Sequence, residues 1–289
     1  MTEKDAVDVT TGENIKDIVK GRYDACAERG TAEGAGCCAG ERPASPGFAA
    51  EHGLYSQQEL SLVPKTAFTL SRGCGNPTGF ADLRSGETVV DLGCGAGIDV
   101  VLAAHKVGAG GKVVGVDFAP RMIERAKQTA AEAGLTETTG FVAADLERVE
   151  LADGVADVVI SNCVINLHPD KEAVYREAFR ILKPGGRLAI SDIVHAGEID
   201  PGVGERFQST WAGCVGGAIE EDRYFRIVQD AGFTAVEFVA RHPLEPKELE
   251  EMACCPGPEF TPAPAKEDIA SVEGKIISIK FRATKPGVR

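Results

Sequence analysis

The segment Asp91-Leu92-Gly93-Cys94-Gly95-Ala96-Gly97 lies between an apolar, strand-like run, Glu87 to Gly93, and a helix-like run, Ala96 to Val107. A strand that passes through a glycine-rich turn into a helix opens a nucleotide-binding βαβ unit. The glycines let the backbone approach a ligand closely, and the first N–H groups of the helix face it. The pattern continues downstream. Lys112 to Phe118 reads as a strand, and Pro120 then starts a helix whose apolar stripe is Met122, Ile123, Ala126, Ala130 and Ala133. Phe141 to Leu146 and Val155 to Ser161 read as strands, and Asp170 to Leu182 as a helix stopped by Lys183-Pro184-Gly185-Gly186. Arg187 to Ile193 is a fifth strand.

This alternation predicts an α/β, doubly wound, mostly parallel seven-stranded sheet. Glu220 to Ala231 is a further helix and Thr234 to Ala240 a sixth strand. In Lys275 to Ala283, Ile277, Ile279, Phe281 and Ala283 alternate with Ser278, Lys280 and Arg282, which suits an antiparallel edge strand. Three zones result: 1–60, a helix from Asn14 to Arg29 and a Gly/Pro-rich, cysteine-containing flexible loop; 61–240, the nucleotide-type domain; and 241–289, an appendage whose last strand (275–283) completes the sheet.

Composition narrows the partners. The 289 residues carry a net charge of −13, with no Lys/Arg run, so nucleic acid and anionic membrane are not expected partners. Met1 to Ile15 has no apolar h-region and no stretch is long enough for a membrane span, which predicts a cytoplasmic protein. Nine cysteines is an odd number, and in a reducing compartment they serve as buried hydrophobes, ligands or reactive thiols rather than a disulfide framework. No CxxC pair occurs, which argues against a zinc ribbon.

Two acids favour S-adenosylmethionine over a dinucleotide in the glycine turn. Asp91 precedes the first glycine, where a carboxylate can hold an amino group, and Asp117 ends the second strand, where it can accept both ribose hydroxyls. A nicotinamide fold is disfavoured by that first acid and by the antiparallel last strand. Cys163 lies just past the fourth strand and Cys214 after the fifth, so both should rise at the carboxyl edge of the sheet, and Cys74 can fold over the same edge. Three thiols beside a methyl donor point to a soft acceptor.

The turn resembles motif I of class I S-adenosylmethionine-dependent methyltransferases, and Leu182-Lys183-Pro184-Gly185-Gly186-Arg187-Leu188 is similar to the segment before that family's fifth strand. Val159 to Leu167, Gly73-Cys74-Gly75-Asn76-Pro77, Ile190 to Ile193 and Trp211 to Ala218 resemble arsenite S-adenosylmethyltransferases, as do Tyr55 to Leu60 and Cys37-Cys38; the likeness covers roughly residues 14 to 240. The resemblance implies a class I, Rossmann-like fold and trivalent arsenic, as arsenite or its thiol conjugates, bound by Cys74, Cys163 and Cys214. It implies cofactor contacts from Asp91, Gly93, Gly95, Gly97, Asp117, Phe118, Met122, Asp145, Leu146 and Asn162, with Asp145 on the adenine amino group. It also implies re-reduction through a disulfide relay, Cys37 or Cys38 pairing with Cys74, drained by thioredoxin or glutathione, in a protein expected to be monomeric.

The remaining motifs are read more plainly. Cys94 is expected to pack beneath the cofactor, Cys26 to be inert on its helix, and Cys254-Cys255 to be either an arsenic-capturing pair or dispensable. The five histidines lack metal-ligand spacing and are read as surface or packing residues, and Glu147 as solvated. Ser71-Arg72 stands where relatives often carry an aromatic or apolar residue, and Ala144-Asp145 where Gly-Glu is more usual. A methyltransferase for a small organic acceptor and a non-catalytic metalloid-binding protein are the competing readings.

Overall fold

The computed structural model describes residues 12–29, 53–68, 70–71, 73–208, 214–253 and 264–287. Helix α1 (Gly12–Arg29) and two short helices, α2 (Gln57–Leu62) and α3 (Lys65–Phe68), precede the first strand. The alternating core follows as β1 (Thr88–Leu92), α4 (Ile98–Val107), β2 (Lys112–Asp117), α5 (Pro120–Glu132), β3 (Thr139–Ala143), β4 (Ala156–Asn162), α6 (Lys171–Ile181) and β5 (Leu182–His195). Then come α7 (Pro201–Gln208), α8 (Glu221–Asp230), β6 (Thr234–Pro243), α9 (Pro246–Ala253), α10 (Lys266–Ser271) and β7 (Ile276–Thr284).

The seven strands form one sheet in the order β3-β2-β1-β4-β5-β7-β6, parallel from β3 through β5 and antiparallel where β7 meets β5 and β6. The expected doubly wound sheet is therefore present. Both of its faces are covered, which is why the central strands read as unbroken apolar runs: Val89, Val90, Leu92, Val158, Val159 and Ile160 are all fully buried. Tyr175, Tyr224, Phe233 and Phe281 fill the layer on one face with edge-to-face ring contacts. Val100, Ala103, Ala104 and Val107 of α4 fill the other.

Local signals set the element ends. Asp170 caps α6 by accepting from the Ala173 N–H at 2.8 Å, and Ser56 and Glu59 form a reciprocal capping box on α2. The third strand starts two residues earlier than the apolar pattern suggests, so Asp145 and Leu146 lie in the loop that leaves it.

The last strand departs from expectation. β7 does run antiparallel, but it sits inside the sheet, and β6 holds the edge. Its alternation arises because one face is packed in the core while the other lies beneath a polar segment. Ser278 Oγ donates to the Cys74 carbonyl at 3.1 Å, and Arg282 reaches the Phe80 carbonyl and the Asp82 carboxylate. A half-polar pattern thus means a polar covering here rather than solvent. Among the described residues no helix is long and apolar enough to cross a membrane.

Candidate active site

Above the carboxyl ends of β1, β2 and β4 opens a cleft of about 970 Å³, bounded by the glycine turn, α1 and the Cys163 segment. All three turn glycines have positive φ, and at Gly93, with φ +78°, a Cβ would sit 2.2 Å from a Val164 methyl, so neither conformation nor space admits a side chain. Gly97 caps α4 in the left-handed region, and the free N–H groups of that helix open into the cleft.

Three buried carboxylates give the cleft its electrostatics. Asp91 at the end of β1 is pushed well above the usual carboxylate range, first by burial and then by Asp99 and Asp117. Burial raises Asp117 to about 6, although its oxygens accept from the N–H groups of Gly95 at 2.9 Å and Ala119 at 3.0 Å. Asp99, on the first turn of α4, is also raised to about 6 by burial, against the donors Asn162 and Tyr55. Sequence reasoning passed over Asp99 because an acid in a helix's first turn is an ordinary dipole partner. Its burial beside two other acids was not visible along the chain. Such a set lacks positive charge, and it fits a ligand carrying a sulfonium and an ammonium group.

Asn162, the last residue of β4, is a hub. Its side-chain amide donates to Asp99 Oδ2 at 3.0 Å, to the Tyr55 hydroxyl at 3.2 Å and to the Gly75 carbonyl at 2.8 Å, while its Oδ1 accepts from the Gly75 N–H at 3.1 Å. It therefore ties the cleft to the segment that carries Cys74. That segment lies so close that a Cβ at Gly73 would sit 2.4 Å from the Asn162 amide, and one at Gly75 would sit 2.2 Å from Ser191 Oγ. Glycine on both sides of Cys74 is a requirement of this approach.

The three expected cysteines do come together. Cys163 lies within hydrogen-bonding reach of both the Cys74 and Cys214 thiols, and Cys214 Sγ also reaches the Cys163 carbonyl at 3.2 Å. All three are buried, in a cluster with Val19, Leu167, Ile193, Val203, Phe207 and other apolar residues. Burial pushes the Cys74 thiol up, and pushes that of Cys163 far up, with the neighbouring cysteines adding to the rise. Unbound, these two side chains are neutral thiols. Cys163 and Cys214 both adopt positive φ, at +59° and +75°, a conformation that costs a non-glycine residue of order 1–3 kcal/mol and that the surrounding contacts enforce.

Other expected residues fall into place around the cleft. Phe118, Met122, Leu146 and Cys94 line it. Cys94, expected beneath the cofactor, is buried. Asp145 also lines the cleft, but its carboxylate is held by His168 Nε2 at 3.0 Å and by Lys16 of α1 at 2.9 Å. Burial opposes its ionisation, yet His168 and then Lys16 outweigh it and hold the group well below its usual range.

Several expectations need correction. Glu147 is ion-paired with Lys16 at 2.9 Å rather than simply solvated. His168 is a buried wall of the cleft, fixed between Asp145 and the Asp170 carbonyl. Ligand atoms of Asp145, Glu147 and His168 lie within 4.8 Å of one another, and the Lys16 ammonium supplies their counter-charge. Cys26, read as inert, is disulfide-bonded, and its partner lies outside the described residues. Its burial against Ala119 and Met122 hides the helix face that the sequence shows only as amphipathic. Cys37, Cys38, Arg72, Cys254 and Cys255 lie outside the described residues.

Comparison with known proteins adds a family. Residues 83–232 match the model described as a methyltransferase domain. The arsenite methyltransferase of Halobacterium salinarum is 38% identical over 239 residues, covering 79% of this chain and 60% of that protein. That of Mus musculus is 35% identical over 210 residues, covering 68% and 54%. The chain thus spans a little over half the length of these curated relatives. The crystal structure of an arsenic(III) S-adenosylmethionine methyltransferase from Chlamydomonas reinhardtii matches 84% of this chain and 75% of its own, at 27% identity and a TM-score of 0.59. A geranyl diphosphate methyltransferase in complex with SAM, at 18% identity and a TM-score of 0.59, shares the fold. With over half of its residues inside the matched domain and its sheet built as in these structures, the chain belongs to the methyltransferase-domain family.

Proposed function

We propose that this protein transfers methyl groups from S-adenosylmethionine to trivalent arsenic bound by Cys74, Cys163 and Cys214. The observation that carries this reading is the convergence of three buried thiols, one of which, Cys163, lines a cleft that also holds buried carboxylates. The likeness to arsenite methyltransferases agrees with it.

Charge favours arsenic over a divalent metal. Arsenite is the neutral As(OH)₃. Three thiols exchange with its three hydroxyls, three As–S bonds form, three As–O bonds break, and the thiol protons leave in three waters. The product is neutral. Zinc on the same three thiolates would leave one net negative charge buried among apolar residues, at a cost of several kcal/mol.

The donor supplies a methyl carbon made electrophilic by its sulfonium. Asp91, Asp99 and Asp117 bind and orient its cationic and hydroxylated parts, and Leu146, Met122 and Phe118 enclose it. The arsenic lone pair bears no proton, so the protein holds two reactants in line rather than supplying a base; orientation of this kind contributes about 7–11 kcal/mol in well-aligned systems. The C–S electron pair leaves with the sulfur as a neutral thioether, and arsenic becomes pentavalent. A free cysteine thiolate then attacks one arsenic-bound sulfur: an S–S bond forms, that As–S bond breaks, and its electron pair returns arsenic to the trivalent state on the two remaining thiolates; an external dithiol or glutathione reduces the disulfide. Cys37 or Cys38 pairs with Cys74 in this scheme.

The test is arsenic speciation after incubation with arsenite, S-adenosylmethionine and a thiol reductant. Methylated arsenicals are expected from the wild type and none from Cys163→Ser or Cys214→Ser. Unchanged arsenite in the wild type, or full activity in either variant, overturns the reading.

A further inference from the structure

We propose that Asn166 is a positioning residue that decides whether two or three sulfurs reach the substrate, by holding the Cys214 backbone over Cys163. The proposal rests on the arsenic reading above.

Asn166 follows Cys163 by three residues and is fully buried. Its side-chain N–H donates to the carbonyl of Cys214, 48 residues away, while its Oδ1 has no hydrogen-bond partner among the described residues. The donor is therefore the atom in use. The backbone of Asn166 is fixed from both sides. Its N–H donates to the buried Asp192 carboxylate, and its carbonyl accepts from Lys171 Nζ at 3.1 Å. Asp192 in turn accepts from the Tyr224 hydroxyl at 2.7 Å, which accepts from Tyr175 at 2.7 Å.

This chain of buried contacts ends at Cys214, a residue at φ +75° that needs an outside contact to stay there. Cys163 lies within hydrogen-bonding reach of both Cys74 and Cys214. Loss of the Asn166 donor therefore releases one end of the thiol row and leaves Cys74 and Cys163 in place, the latter held by its own N–H to the Ser191 carbonyl at 2.8 Å.

Two arsenicals separate the two halves of the row. Arsenite exchanges three hydroxyls for three thiols, releasing three waters. Phenylarsonous acid keeps its As–C bond and exchanges two hydroxyls, releasing two. In Asn166→Leu, which keeps the size and deletes the donor, arsenite is expected to bind about 10- to 100-fold more weakly, the usual effect of losing a contact that orients a ligand. Phenylarsonous acid is expected to bind as it does to the wild type. X-ray absorption at the arsenic edge should count three sulfurs in the wild type and two in the variant. Cys214→Ser should behave alike, and combining the two changes should add nothing further.

Three sulfurs in Asn166→Leu, or equal weakening of both arsenicals, overturns the proposal. Should that variant fail to fold, Asn166→Gln, which displaces the amide by one methylene, is measured in the same way with the same expectations. Failure of arsenite to bind the wild type overturns the arsenic reading itself, and this inference with it.

Discussion

At the scale of single residues, Asn162 and Asp99 join two sites that the sequence presents separately. Asn162 spans the Gly75 backbone and the Asp99 carboxylate, so the amide that holds the Cys74 segment also holds an acid that lines the cleft. Asp99→Asn removes one of three buried carboxyl groups while keeping its size. It is expected to weaken S-adenosylmethionine by about tenfold, as removal of one charge-assisted partner does, and to weaken the uncharged-sulfur product less. Calorimetric titration of both ligands checks this. The three thiols were legible because each stands in a diagnostic motif. Asp99, Asn166 and His168 were not, since their roles come from contacts across 63, 48 and 23 residues of chain, which no local pattern encodes.

Elements carry the next level. The helices and parallel strands were readable because continuous apolar runs and 3.6-residue stripes map directly onto a sheet covered on both faces. β7 was misplaced because alternation reports the polarity of what covers a strand, not its position in the sheet. Two substitutions separate its two faces. Phe281→Ala opens a cavity among Tyr224, Phe225 and the core beneath, and is expected to cost about 3–5 kcal/mol of stability, read from denaturant midpoints. On the opposite side, Gly75→Ala drives a methyl into Ser191 Oγ. It is expected to displace Cys74 and lower arsenite affinity while shifting the denaturation midpoint by less than Phe281→Ala does.

For the whole molecule, buried acids set the response to pH. Asp99, Asp117 and Asp192 each rise to about 6 through burial, so the folded state binds more protons than the unfolded one between their ordinary values and about 6. Stability of the ligand-free protein therefore falls as pH rises through that window, by about 1.4 kcal/mol per pH unit for each group. Glu87, Asp157 and Asp268, held low with Arg187, Lys183 and Arg206 as partners, act oppositely and lose their contribution as pH drops toward 4 and below. Melting temperature is thus expected to peak at about pH 4, where the lowered acids are already ionised and the raised ones still protonated. A cationic donor reverses the upper limb, because it binds the ionised acids. Its affinity should rise about tenfold between pH 5 and 7, seen as proton release in calorimetry. A melting curve flat from pH 4 to 7 contradicts this account.

The support of Cys74 by Ser278 spans 204 residues. During synthesis the glycine turn and the strands before Cys163 leave the ribosome long before residue 278 does. The cleft around the glycine turn can form early on the nascent chain, whereas Cys74 gains its Ser278 support only when β7 enters between β5 and β6. A growing chain therefore exposes scattered cysteines, and under the proposed function a metalloid meets three gathered thiols only after β7 has joined the sheet.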